Sequence, residues 1–452
     1  MWQRHMLHYK MLNVIELLYI TGRRSGDIAA AVEGAVREGR LQPGDRLPTV
    51  RGLAAELGVS PATVNAAYRE LGRRGVAIGE GRAGTAIAPR PPLGRGIEVR
   101  VRTGLRDLAT GRPDPLLLPD WTDVIAGLPR RSAQYGAPMV EPELADLARE
   151  RLRADGVDAT HLTVVSGAVD GMERVIGAHL RPGDAVAVED PGYPPFVDLL
   201  RAMSLRPVPV GIDARGMVAE HLEAALHRGV RAVLLTPRSQ NPFGSALDDL
   251  RRTELRRVLA RRPEALVVED DHAEGLGGGT VVGVALPDWP AWAVVRSVSK
   301  TLGPDLRVAV VSGDETTVAR VEGRLATGPG WVSHLLQRLV IGLWSRPGLE
   351  LLLSHAADTY RRRREGLIDA LERHGVQARG ATGLNVWVPV EAEAPVLAAL
   401  ADAGYAAQAG ERFRIATPPA IRITAATLDP SEADWVAEAV AAAGGTGATR
   451  LA

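Results

Sequence analysis

The chain carries 54 lysines and arginines, yet only Lys10 and Lys300 are lysines. An arginine guanidinium stays protonated and cannot attack a carbonyl. A lysine amine that loses its proton when desolvated condenses with a carbonyl carbon to give an imine. A lone internal lysine in so arginine-rich a chain is a candidate for that chemistry, the alternative being an ordinary surface lysine. Its setting favours chemistry. Ala293-Val294-Val295 before it and Leu306-Arg307-Val308-Ala309-Val310-Val311 after it predict two buried strands, with Lys300 on the loop between them.

Further segments place reactive or polar side chains at predicted strand ends. Ser166-Gly167-Ala168 follows the strand Leu162 to Val165 and opens a predicted helix. Free amides at such a start bind phosphate, although most such turns are plain connections. Tyr193 stands just past the strand Ala185 to Glu189, where it could stack on a flat ring or pack in the core. Asn241 lies in a tight turn after the strand beginning at Val233. Asp270 ends a strand from Leu266. There it could cap a helix or hold a heteroaromatic nitrogen protonated, which makes the ring an electron sink.

In order, Ser297-Val298-Ser299-Lys300 with Arg307 seven residues on, together with those segments, closely resembles fold-type I pyridoxal phosphate (PLP) enzymes of the aminotransferase-like fold. The resemblance implies that Lys300 forms the internal aldimine. It implies that Ser297, Arg307 and the Gly167 and Ala168 amides hold the cofactor phosphate. Tyr193 would stack on the pyridine ring, Asn241 bond its hydroxyl and Asp270 pair with its nitrogen, which makes Lys300 and Asp270 the catalytic pair. Tyr135 resembles the tyrosine that reaches the phosphate of a neighbouring subunit, implying a homodimer. Arg422, in the predicted strand Ala420 to Thr424, resembles the arginine that grips a substrate or effector carboxylate with two parallel hydrogen bonds. Phe243 replaces the usual threonine of the Asn-Pro-Thr-Gly turn. His272 stands where many relatives have a tyrosine whose hydroxyl reaches the cofactor, so the resemblance implies a cofactor contact there, and Pro195 stands where some binders of omega-amino acids have arginine.

The elements before this region carry a different signal. Asp27 predicts the cap of a helix from Ile28 to about Glu38. A second helix is expected from Thr49 to Leu57, and a third from Pro61 to Arg73 with Ser60 as cap and Pro61 at the first position. Strands at Val76 to Ile78 and Thr85 to Ile87 flank Gly79 to Gly84. Helix, glycine-bearing turn and helix form a helix-turn-helix pattern with a wing, though a plain three-helix domain has the same periodicity. The run Pro43-Gly44-Asp45-Arg46-Leu47-Pro48-Thr49-Val50-Arg51, continuing to Leu71, closely resembles the winged helix of GntR-type transcription regulators. The resemblance implies that Arg51 contacts DNA phosphate. Ser60, Thr63 and Asn65 would line the recognition helix, and Arg82 to Gly84 would enter the minor groove. Pro61 replaces a common arginine of relatives.

Composition agrees with two functions in one chain. The 452 residues allow two or three domains, and 46% hydrophobic with 24% charged residues predicts a globular protein. No cysteine is present, so disulfides and thiolate metal sites are excluded, and no metal is expected. Net charge is zero, but Asp27 to Arg106 holds 13 arginines against 8 acids, so one quarter of the chain is suited to a polyanion. Neither a signal peptide nor a membrane span is expected, and a cytoplasmic protein follows. The expected organisation is an N-terminal extension over 1–26, a winged helix-turn-helix domain over 27–89, a linker over 90–107 and an aminotransferase-like domain over 108–445. The linker is rich in Pro, Gly and Arg, and its arginines are either a solvated tether or additional phosphate contacts. The fold class is α/β, with a mostly parallel sheet in the large domain.

Fused winged helix and aminotransferase-like domain together resemble the MocR-type regulators. That resemblance implies a PLP-binding transcription regulator that binds DNA and senses an amino acid or other amine through aldimine exchange at Lys300. The alternatives are an active class I/II aminotransferase carrying a DNA-binding module, and a regulator that has lost its cofactor.

Overall fold

The computed structural model describes residues 20–37, 40–73, 76–79, 84–88, 101–129, 133–276, 283–285 and 287–444. They fall into two compact units, one at the N-terminus and one formed by most of the remaining chain. The expected linker lies largely outside the described residues, and so does Arg82.

In the N-terminal unit three helices, α1 (Ser25–Arg37), α2 (Val50–Leu57) and α3 (Pro61–Arg73), are followed by the antiparallel strands β1 (Ala77–Gly79) and β2 (Thr85–Ile87). Ile28, Val32 and Ala35 of α1, Leu53 of α2, and Val64 and Leu71 of α3 are all buried in one core, which Ile20 also enters. Helix α1 starts at Ser25 rather than at Ile28, because the Asp27 and Ile28 amides already donate to Arg24 O. Asp27 is therefore a first-turn acid, favoured there by the helix dipole, and not the cap. Thr49 caps α2, its hydroxyl accepting from the Gly52 amide at 3.1 Å. Gly58 ends α2 with φ +64°, a left-handed conformation suited to glycine, and so makes the tight turn into α3. Ser60 Oγ accepts from the Thr63 amide at 3.1 Å, which gives α3 the expected cap.

The large unit is built on an eight-stranded sheet. Its strands are β4 (His161–Val165), β5 (Ala185–Asp190), β6 (Arg206–Asp213), β7 (Gly216–Met217), β8 (Ala232–Leu235), β9 (Leu266–Asp271), β10 (Trp292–Ser297) and β11 (Ala309–Gly313). They lie in the order β4-β11-β10-β9-β8-β5-β6-β7. The central pairs β5·β8, β8·β9 and β9·β10 are parallel, and β11 runs against both its neighbours. The central strands are buried throughout, as expected for a sheet covered on both faces. A second sheet of three strands orders β12 (Asn385–Pro389), β15 (Ala420–Thr424) and β14 (Gln408–Ala409), all antiparallel. A short parallel pair joins β3 (Arg106–Asp107) to β13 (Tyr405–Ala406).

One strand boundary differs from the expectation. Leu306 belongs to a 3-10 turn and Arg307 takes φ +47°, so β11 starts only at Ala309. The apolar run read as strand is broken where one residue must turn its side chain back toward the site. No helix among the described residues is long and apolar enough to cross a membrane.

Candidate functional site

The parallel strands deliver the polar side chains at their C-terminal ends, the usual location of ligand crevices in open α/β sheets. β10 ends at Ser297, and Lys300 follows on the loop toward Arg307. β9 ends in Asp270 and Asp271, which point to opposite faces because side chains alternate along a strand. A cavity of about 180 Å³ is lined by Ala168, Tyr193, Asn241, Asp270, Ser297, Lys300 and Arg307, together with His272 and Ser299.

Each wall of the cavity has a local cause. Asp271, 1% exposed, is clamped on the far face by Arg238 Nε at 2.7 Å and Arg296 Nε at 2.8 Å. Burial pushes that carboxyl up, but Arg296 and Arg238 outweigh it and hold it at about 2. This fixed ion cluster locks the end of β9, and Asp270 is thereby aimed into the cavity. Asp270 Oδ2 lies 3.0 Å from His272 Nδ1, while its buried Oδ1 has no hydrogen-bond partner. Burial, with Arg422 and Arg112 nearby, pushes the Lys300 amine down to about 8 against the opposing pull of Asp270. Lys300 Nζ donates to Gly111 O at 2.7 Å.

Tyr193 is set by the turn after β5. Asp190, 4% exposed, accepts from the Ile415, Ala416 and Thr417 amides at 2.7, 2.7 and 3.0 Å. The Gly192 amide donates to Phe413 O. The next turn is tied to the same place. Gln240 Nε2 donates to Glu189 Oε2 and to Pro191 O, and Gln240 Oε1 accepts from the Phe243 amide. Asn241 is thus held beside Tyr193. Burial raises Glu189 to about 7 and also raises Tyr193, with Asp270 adding to the latter. The ring of Tyr193 stands edge-on to Phe196 at 5.1 Å.

At the other end, helix α4 (Ala168–His179) begins at the cavity. The Gly167 amide donates to Val165 O, so the amides left to face a ligand are those of Ala168 and Val169. What Gly167 contributes is space: a Cβ there would sit 2.6 Å from the Arg307 guanidinium, at φ +94°. Arg307 donates to Ser166 O at 3.4 Å, and Ser297 Oγ donates to Ser299 Oγ at 3.0 Å.

Arg422 is 4% exposed. It donates to Asn241 Oδ1 at 3.1 Å and to Ala109 O, and stacks 4.7 Å over the Phe413 ring. Burial pushes its guanidinium down to about 10, against Tyr193 and Asp107. Phe243 packs with Trp387 and Phe413 beneath it, so the unusual Phe of the Asn-Pro turn is a packing residue.

Tyr135 is not brought to this cavity. It is 92% exposed and stands edge-on to Trp331 at 5.8 Å. In the N-terminal unit Arg51, Ser60, Asn65 and Gly84 are exposed and Thr63 is half-buried, its hydroxyl 2.9 Å from Ser60 Oγ. Sequence reasoning passed over Ser299, although the Ser-x-Ser-Lys spacing was its signal. It also missed Gly111, Gln408 and Phe413, which no motif singled out.

Comparison with known proteins agrees with both units. The model of "Aminotransferase class I and II" matches residues 104–440, and that of "Bacterial regulatory proteins, gntR family" matches residues 24–87. The chain is 40% identical over 422 residues to the vitamin B6 salvage pathway transcriptional repressor PtsJ of Salmonella typhimurium, covering 92% of this chain and 98% of that one. It is 32% identical over 276 residues to the HTH-type pyridoxine biosynthesis transcriptional regulator PdxR of Corynebacterium glutamicum, covering 58% and 59%. The large unit shares its fold with the kynurenine aminotransferase of Pyrococcus horikoshii (TM-score 0.69, 22% identity, 76% of this chain and 91% of that chain). With one family model spanning most of the chain and a regulator matched almost end to end, the chain belongs to the MocR-type regulators, in which a GntR-type winged helix is joined to an aminotransferase class I and II domain.

Proposed function

We propose that this chain is a PLP-binding transcription regulator whose winged helix binds DNA and whose large domain reports the arrival of an amino compound at Lys300. The observation that carries the reading is the convergence of Lys300, Asp270, Tyr193, Ser297 and Arg307 on one cavity of about 180 Å³. The cofactor fits these residues. The orphaned Asp270 Oδ1 suits a protonated ring nitrogen, and the space kept open by Gly167 beside Arg307 suits a phosphate. When bound, PLP supplies an electrophilic carbon conjugated to an electron-withdrawing ring.

The chain's own part is binding and proton control. Lys300 is the amine that holds the cofactor and that an incoming amine displaces. Asp270, steadied by His272, keeps a proton on the ring nitrogen. Tyr193 supports the ring face, Asn241 takes the ring hydroxyl, and Arg307, Ser297 and the Ala168 amide take the phosphate. Arg422 receives the carboxylate of the amino compound. Tyr135, exposed on its own subunit, reaches the site of a partner in a homodimer. On the DNA side Arg51 meets phosphate, Ser60, Thr63 and Asn65 face bases, and Arg82 and Gly84 contact the minor groove. Ligand-driven change in DNA binding needs an amine that binds one arrangement of the protein better than another. The kinship to regulators named for vitamin B6 salvage and pyridoxine biosynthesis makes genes of that metabolism the proposed targets, and the cytoplasm the proposed place of action.

The test combines the visible absorbance of the purified protein with DNA binding to its own upstream region. A PLP band that Lys300→Ala abolishes, and an amine-dependent change in DNA affinity that the same variant loses, are the expected results. No PLP band even after adding cofactor would overturn the reading. A keto acid accumulating over many turnovers would replace it with the aminotransferase reading, which the presence of Lys300, Asp270, Asn241 and Arg422 together supports.

A further inference from the structure

A second cavity of the large unit, of about 340 Å³, lies outside the cofactor cavity and exceeds its 180 Å³. The sheet register places it. Val294 of β10 is opposite Glu269 of β9, and side chains alternate along each strand. Glu269, Val294 and Trp292 therefore share one face of the sheet, while Asp270 points into the cofactor cavity from the other. All three line the second cavity. The helix Asp249–Leu259 borders it with Arg252 and Arg256, and Gly283 and Ala285 border it from the loop before β10.

The buried unpaired atoms on these walls are donors. Trp292 is 2% exposed and its Nε1 has no hydrogen-bond partner, and the buried Nε of Arg252 has none either. Buried donors left in this state are uncommon in folded proteins, and an acceptor brought by a ligand completes them. Arg256 donates only to neutral carbonyls, those of Val284, Gly283 and Ala285. Burial, and then the like charge of Arg252, push its guanidinium down. An anion between the two arginines relieves that repulsion.

The acids of the cavity are already engaged. Asp155 is held by Arg296 at 2.7 Å and by Arg238 at 3.3 Å. Asp158 accepts from the Thr160 amide and hydroxyl. Glu269 accepts through Oε1 from the Val284 and Ala285 amides, and burial lifts its carboxyl to about 7. Gly283 leaves room beside it, since a Cβ there would sit 2.8 Å from Glu269 Oε2. The rest of the wall, Val157, Val294 and Pro287 with the Trp292 ring, is apolar. A few polar groups converging on an apolar hollow of this size are the usual make-up of a small-molecule site.

We propose that this cavity is a second ligand site, for a small organic anion. Its carboxylate or phosphate meets Arg252, Arg256 and the Trp292 indole N–H, and its apolar body lies along Val157 and Val294. The inference goes beyond the reading of Lys300 and does not depend on amine exchange there.

The test titrates the full-length protein, saturated with PLP, with phenyl phosphate, benzoate and the neutral benzyl alcohol, reading the heat of binding and, in parallel, the visible spectrum. At least one of the two anions is expected to bind saturably and about tenfold or more tighter than benzyl alcohol, the scale of one charge-assisted contact. The tighter of the two identifies phosphate or carboxylate as the preferred group. Arg252→Gln is expected to weaken that anion about tenfold. Trp292→Phe, which keeps a ring and removes the donor, is expected to weaken it several-fold. Both variants should keep the visible spectrum and thermal unfolding of the parent protein, and Arg422→Gln should leave the anion bound. Neither anion binding better than benzyl alcohol overturns the proposal. So does anion binding that survives Arg252→Gln and Trp292→Phe but is lost in Arg422→Gln, which places the anion in the cofactor cavity.

Discussion

Lys300 shows how burial turns an ordinary side chain into a reagent. The cavity and the nearby arginines bring its amine to about 8, so at neutral pH about a tenth is unprotonated and nucleophilic, far more than for an ordinary lysine. The rate at which cofactor-free protein captures PLP should therefore rise as pH increases through about 8 and then level off, where an exposed lysine would keep gaining up to its usual value near 10.5. Stopped-flow absorbance against pH checks this. Stability follows with a definite sign. Between about 8 and 10.5 the unfolded chain holds a proton that the folded chain has released, so the folded state of the cofactor-free protein gains stability as pH rises across that window, and below 8 the burial penalty stands in full. Lys300→Met should remove that slope in denaturant unfolding measured from pH 8 to 10. A lone lysine in an arginine-rich chain made the position legible in the sequence, but its altered basicity was not, because that depends first on burial and then on Arg422 and Arg112 arriving from distant parts of the chain. His272, expected at the cofactor, lines the same cavity with its Nδ1 3.0 Å from Asp270 Oδ2, a contact that the sequence did not disclose.

At the scale of elements, the strands were legible and the devices that aim their ends were not. The apolar runs of β9 and β10 predict themselves, yet nothing in the local pattern says that Asp271 will meet Arg238 and Arg296, or that Arg307 will turn left-handed and end the run early. Asp190 is the clearest of these hidden parts. Its carboxylate holds three consecutive amides of the segment 415–417, which follows Phe413, and so joins the turn of Tyr193 to the support of Arg422. Asp190→Ala leaves those amides unpaired and should cost about 2–4 kcal/mol. Since both Tyr193 and Phe413 lose their anchor, the same variant should weaken retention of PLP and of a carboxylate ligand together. Thermal unfolding and equilibrium dialysis of the variant measure the two effects. A loss of stability with ligand binding untouched would mean that the clamp is structural only. Gly167→Ala tests the opposite end of the cavity: the added Cβ meets the Arg307 guanidinium at 2.6 Å, so weaker cofactor phosphate binding is expected, read from the PLP dissociation constant.

For the whole molecule, the proposed function has two separate sets of residues answer to one ligand, and their contributions can be separated. The helices of the N-terminal unit were readable because their signals are local: the Ser60 cap, a glycine turn at Gly58 and an amphipathic α3, although Thr49, expected inside α2, caps it and Asp27 does not cap α1. Arg51 is exposed on α2, clear of the core that Leu53 and Ala54 enter. If it meets a phosphate, Arg51→Ala should weaken binding to specific and unrelated DNA by similar factors and reduce the slope of log affinity against log salt by about 1. If Asn65, exposed on α3, reads a base, Asn65→Ala should instead weaken the specific site more than unrelated DNA, because base contacts carry the discrimination. Neither change should alter the PLP spectrum. Lys300→Ala is the reciprocal case: DNA binding of the cofactor-free protein should persist, and the response to cofactor and amine should vanish. Fluorescence anisotropy on labelled DNA at several salt concentrations, run beside absorbance on the same samples, resolves all three variants. If Lys300→Ala abolished DNA binding outright while the protein stayed folded, the large domain would be required for the DNA-binding form itself, and ligand arrival would act by loss of that form rather than by a shift between two forms.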